Sequence, residues 1–118
     1  MKRRTYALKE AERIVPLLRS IGKEIHGRRK AAEEIQKRLE FVRRVARSEN
    51  VVVRNLEAEL ATHLREIRAS ERELEHLGCR FDERHPFRIL IPSSEGAWAF
   101  DGNLDDTRFY TAPAGGVA

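Results

Sequence analysis

Two rows of mostly apolar residues, each repeating every seven positions, run through the first third of the chain and restrict it to one style of packing. Leu18, Ile25, Ala32, Leu39 and Ala46 make one row, and Ile14, Ile21, Arg28, Ile35 and Val42 make the other. Seven-residue spacing holds such rows on one side of an α-helix, where they form a coiled-coil seam with the first row at a and the second at d. Arg28 is the polar intruder in that seam. Gly22 and Gly27 stand close to it, and each costs about 1 kcal/mol relative to Ala inside a helix, so a kink or frayed turn is expected between residues 22 and 28. Pro16 predicts a bend after a short leading helix of residues 8 to 15, because proline removes a backbone donor from the helix.

A second periodic stretch carries Val53, Leu60, Ile67 and Leu74 at the same interval, supported by Leu56, Leu64 and Leu77. It stops at Gly78, a residue suited to the position just past a helix end. Between the two stretches lies Ser48-Glu49-Asn50, a short polar connection that predicts an antiparallel hairpin. Folding about residue 49 sets Leu39 near Leu60, Ala32 near Ile67, Ile25 near Leu74, and His63 opposite Ile35. Charge agrees with the pairing. Residues 1 to 48 hold 15 Lys and Arg against 6 acidic residues, whereas residues 49 to 118 hold 8 against 13.

The last third has a different composition. Only Tyr6 and Phe41 precede residue 80 among the aromatics, while Phe81, Phe87, Trp98, Phe100, Phe109 and Tyr110 follow it. Phe87 to Ile91, Ala97 to Phe100 and Thr107 to Thr111 read as strands, separated by a turn over Pro92-Ser93-Ser94-Glu95-Gly96 and a loop containing Asp101-Gly102-Asn103. A small antiparallel meander follows from that order. By the hairpin register residues 1 to 20 overhang the second helix, and their apolar face of Ala11, Ile14, Val15, Leu17 and Leu18 needs the sheet as cover. The expected fold is α+β, mostly α, in one domain over residues 1 to 118. It has a helical hairpin over about 5 to 77, a β element over about 79 to 111 and a frayed tail over 112 to 118.

Particular segments carry a family resemblance. Tyr6-Ala7-Leu8-Lys9-Glu10-Ala11 followed by Ile14-Val15-Pro16-Leu17-Leu18 resembles the opening of a bacterial family known as domain of unknown function 2203. Leu77-Gly78-Cys79-Arg80-Phe81-Asp82 looks like that family's Leu-Gly, strand-forming and acidic step, and Ile89 to Ser93 sits where members have a short strand ending in Phe-Pro-Ala. The sequence departs from the family pattern at Ala7, where a capping Thr is usual. It departs again at Phe100, Asn103-Leu104 and Tyr110-Thr111, which stand for a Trp, a Gly-Glu turn and a Trp-His pair. The resemblance implies a shared fold and no activity. A site built on the Trp-His element would be missing here.

The residues that carry chemistry are scattered. His76, Cys79 and His85 fall across a helix end, a strand and a loop without the spacing of a zinc site, so no metal or other cofactor is expected. Ser93-Ser94 lacks the glycine-flanked elbow of a serine nucleophile, and no phosphate-cradling glycine loop is present. Glu71, Glu73 and Glu75 alternate along a helix and do not face one another. No catalytic residues are assigned, and an enzyme is not expected.

What remains is surface. Lys23, Lys30, Lys37 and Arg44 all fall on the outermost f positions, about 10.5 Å apart at 1.5 Å of rise per residue, which suits phosphates along a nucleic acid. Glu24 to Arg28, Glu33 to Lys37, Glu34 to Arg38 and Glu40 to Arg44 run in the favourable i to i+4 order of a solvated helix instead. Leu17, Ala31, Val45, Val52, Leu56 and Leu64 flank the seam as a second contact strip. The expected function is a non-catalytic helical protein–protein interaction module that pairs with itself or with another helical protein, the alternative being nucleic-acid binding through the basic row. One cysteine suits the cytoplasm, and no apolar run reaches the roughly 20 residues of a membrane span.

Overall fold

The computed structural model describes residues 5–45, 51–85, 87–94, 96–102 and 110–112. Helix α1 is Leu8–Val45 and α2 is Val51–His76; strands β1 to β4 are Arg80–Phe81, Arg88–Ser93, Gly96–Asp101 and Tyr110–Ala112. The fold is α+β, mostly α, with two helices packed as a hairpin and an antiparallel sheet in the order β1-β2-β3-β4. The Ser48-Glu49-Asn50 connection, Ala46 and the 103–109 loop lie outside the described residues. Residues gather into two compact units. One joins the chain through Lys23 to the chain from Glu71 onward, and the other is Glu24–Ser70.

In the first unit the start of α1 is built by Tyr6 and Glu10. The Tyr6 backbone N–H donates to the Pro92 carbonyl at 2.8 Å, and its hydroxyl donates to the Leu77 carbonyl at 2.6 Å. Its own carbonyl accepts the Trp98 indole N–H at 3.2 Å. Ala7 is the N-cap, since its carbonyl takes the first helical bond from Ala11, and its N–H donates to Glu10 Oε1 at 3.0 Å. That is half of a capping box: Glu10 reaches back, but Ala7 has no oxygen to offer in return. Ala7→Ser is expected to raise the unfolding free energy by about 1 kcal/mol, read as a rise in the urea midpoint at unchanged slope.

Three corrections to the sequence reading concern α1. The expected bend with a separate leading helix over 8 to 15 is not found, and α1 runs without interruption through Pro16. Pro16 and Glu12 are both exposed, so the Glu12 carbonyl left without a helical donor sits on the solvent side, where water satisfies it. Buried Ala11, Val15 and Leu18 hold the opposite side in place. Nor does the helix fray or break between 22 and 28. Gly22 is buried with the Ile89 Cδ1 methyl 3.3 Å from where a Cβ would stand, whereas nothing lies within 4 Å of a Cβ on Gly27. Gly27→Ala should therefore stabilise by about 1 kcal/mol in thermal or urea unfolding, through helix propensity alone. Leu17, assigned to the covered face, is exposed; Ala11, Val15, Leu18 and Ile21 are the residues buried there.

Helix α2 ends as its glycine predicts. Gly78 takes φ 77°, a left-handed conformation that suits a residue without Cβ. The Cys79 N–H bonds the Leu74 carbonyl at 3.0 Å and the Gly78 N–H bonds the Glu75 carbonyl at 2.8 Å, which together form a Schellman cap. Cys79 and Leu74 are buried as the cap's hydrophobic pair.

The sheet is the expected antiparallel meander with shifted boundaries. The expected turn over 92 to 96 is shorter, because Pro92 pairs with Ala97 and Ser93 with Gly96, and the ladder continues through them. Strand β1 reaches only residues 89 and 90 of β2, so no strand there needs the missing Pro92 N–H. Phe87 precedes β2 rather than opening it and is exposed, and Ala112, assigned to the frayed tail, closes β4. The core of this unit is made by Ile89, Leu90, Ile91, Ala99 and Phe100 with the buried face of α1, and the Arg19 guanidinium lies 5.6 Å from the Phe100 ring centre.

Candidate functional site

The hairpin unit, Glu24–Ser70, carries the surfaces that sequence singled out. Its seam is closed by Ile35, Leu39 and Leu56, with Val42, Val53 and Leu60 packed against them, so the expected meeting of Leu39 and Leu60 occurs. Ile25, Ala32 and Ile67 are buried as well. Leu56, assigned to the outer contact strip, belongs to this seam instead. Arg28, the polar residue in the d row, is accommodated by two partners. It pairs with Glu24 one turn earlier, and its Nη1 lies 3.3 Å from His63 Nδ1. His63 accepts that bond in the tautomer that carries its proton on Nε2.

Either side of the seam has its own character. Taking Val53, Leu60 and Ile67 as a positions of α2, Arg43 and Glu57 are both at e, and they form an ion pair of 2.9 Å across one flank. Both are about half exposed, so the pair adds at most about 1 kcal/mol. Below it a groove of about 280 Å³ has Leu39, Leu60 and Leu64 as its apolar lining and Gln36, Glu40, Arg43 and Glu57 as its polar edge. Its ionisable groups are two carboxylates and a guanidinium, with Glu57 held by Arg43, so it is suited to seating a side chain and holds no assembled nucleophile and base.

Since the e positions of an antiparallel pair meet on one flank, the g positions meet on the other. There Val45 and Val52 are 68% and 47% exposed, and Phe41, one turn before Val45, is 59% exposed. Three large apolar side chains in water on one flank form a patch rather than scattered surface residues. Val45 and Val52 were legible as flanking positions. Phe41 was missed, although an aromatic at a c position, outside the seam of a helix that already has one apolar stripe, is the signal of a second contact. Of the remaining strip, Ala31 is half-buried and Leu64 is 45% exposed in the groove.

The basic row is placed as its spacing predicts. Lys23, Lys30, Lys37 and Arg44 are all exposed. Arg44 turns its Nε onto the Glu40 backbone carbonyl at 3.3 Å, and among the expected i to i+4 pairs Glu24–Arg28 is closed. His76 and His85 are exposed while Cys79 is buried with its Sγ 3.7 Å from the Leu77 carbonyl. Among the described residues no three His, Cys, Asp or Glu side chains stand together as a metal-binding group. No described helix is long and apolar enough to cross a membrane.

No curated protein and no solved structure matches this chain. A family model described as an uncharacterised conserved protein, DUF2203, matches residues 4–94, a span that takes in both helices, β1 and β2 and stops before β3. The divergent positions Phe100, Asn103-Leu104 and Tyr110-Thr111 all fall beyond it. With the Tyr6 opening, the hairpin and the Gly78 cap inside the match, the chain belongs to the DUF2203 family.

Proposed function

We propose that this chain is a non-catalytic helical interaction module of the cytoplasm that associates with a second copy of itself. The observation that carries this reading is the exposed patch of Phe41, Val45 and Val52 on the g flank of the hairpin. A two-helix seam buries limited apolar area, and a hairpin of this kind gains stability when its second apolar strip is covered by further helices. Sedimentation equilibrium at tens of micromolar is expected to return twice the chain mass of 13.7 kDa. Phe41→Glu is expected to shift the mass toward the monomer while the far-ultraviolet circular dichroism keeps its helical signal. A wild-type chain that sediments as a monomer with full helicity overturns the reading.

A second reading is supported by the exposure of all four cations in the f row. Under it, Lys23, Lys30, Lys37 and Arg44 contact phosphates of a nucleic acid, with affinity that falls steeply as salt rises. Changing all four to Glu should abolish salt-sensitive binding to mixed-sequence DNA and RNA. Equal binding by the native and changed chains discards it.

A further inference from the structure

We infer that the second copy packs on the g flank about a two-fold axis parallel to the helices, with both hairpin connections at the same end and α1 of each copy lying on α2 of the other. The inference rests on the self-association proposed above and adds its geometry and the charges that select it.

The register inside one hairpin sets the argument. Arg43 pairs with Glu57, and Leu39 shares a cluster with Leu56 and Leu60, so Arg38 stands at about the level of Glu59 and Val45 at about the level of Val52. On the g flank α1 presents Arg38 and Val45, while α2 presents Val52, Glu59 and Glu66. Arg38, Glu59 and Glu66 are all exposed, and among the described residues none of them forms an ion pair within its own chain. One edge of the flank is thus cationic and the other anionic, with the apolar patch near the connection.

Only two two-fold arrangements bring this flank onto a copy of itself. An axis across the helices lays α1 on α1 and α2 on α2, which sets the Arg38 edge against its own kind and the Glu59 and Glu66 edge likewise. An axis along the helices keeps every residue at its level and exchanges the edges. Arg38 of each copy then meets Glu59 of the other, twice over, and Val45 of each copy meets Val52 of the other beside Phe41. Opposite charges face each other and apolar residues cover apolar residues, whereas the crossed arrangement opposes like charges, which interfaces avoid.

Charge reversal with sedimentation equilibrium on the full chain tests this. Arg38→Glu and Glu59→Arg should each weaken the homodimer about tenfold, because both symmetric contacts become like-charged, and an equimolar mixture of the two variants should recover wild-type association. Helical circular dichroism serves as the folding control, since both positions are exposed. A monomeric wild type defeats self-association itself. A wild-type dimer that neither reversal weakens, or weakened variants that fail to associate when mixed, overturns this arrangement and leaves self-association standing.

Discussion

Tyr6→Ala is expected to lower the unfolding free energy by about 3–5 kcal/mol, the range for removing a buried aromatic side chain. The side chain is only 4% exposed, and its hydroxyl donates to the carbonyl of Leu77 at the end of α2. The same residue holds Pro92 and Trp98 through its backbone, so a cavity at this position loosens the frame around three further elements. Tyr6→Phe separates packing from hydrogen bonding. It keeps the ring and removes one donor, so the expected loss is about 1–2 kcal/mol. The measurement is a urea titration followed by the emission of Trp98, the single tryptophan, whose indole is bonded to Tyr6 itself. A loss below about 1 kcal/mol for the Ala variant would show that Tyr6 does not organise this unit.

Phe100→Ala is expected to cost a similar amount, about 3–5 kcal/mol. Phe100 is fully buried, pairs with Ile89 in the sheet register and has the Arg19 guanidinium over its ring. The cation contact adds about 0.5–2 kcal/mol where it is shielded from water. Phe100→Leu keeps most of the apolar volume and removes the aromatic face, and a loss of about 1–2 kcal/mol is expected for it. Thermal unfolding checks both, with the Ala variant melting well below the Leu variant. Equal melting points would mean that ring shape and the Arg19 contact contribute nothing.

The helical seam was legible because heptad spacing is a direct record of which side of a helix is dry. Leu39 with Leu60, the burial of Ile25 and the Gly78 cap all follow from spacing and one special conformation. Pro16 was misread because its penalty is local. About 3 kcal/mol lost at one residue is offset by burial of Val15 and Leu18, each worth about 1.5–3 kcal/mol, on the side away from it. Arg28 was a blemish in the pattern because its partner His63 lies 35 positions away, beyond the reach of any local rule. Strand β2 ran past Pro92 for a related reason: a proline prohibits a donor, and only the sheet order shows that no strand there needs one.

The candidate surface was half legible. Val45, Val52 and Leu64 stand next to seam positions and were read as a strip, while Leu56 was drawn into the seam because d positions of α2 face inward throughout the hairpin. The groove beside Arg43 and Glu57 depends on side chains from both helices and had no signature in either one alone. The outer cations were read correctly for position, which is a property of helix geometry. What they bind is a property of the partner.

The Cδ1 methyl of Ile89 sits 3.3 Å from the vacant Cβ position of Gly22 and 3.2 Å from that of Gly102. One methyl tip therefore occupies the room that two absent side chains would have filled. Sizes at the three positions are tied together: an Ala at 22 or 102 calls for a shorter residue at 89, and Ile89→Val is the change that would make either Ala tolerable. Sequence drift at this corner of the molecule must proceed in matched steps, with the shrinking step first.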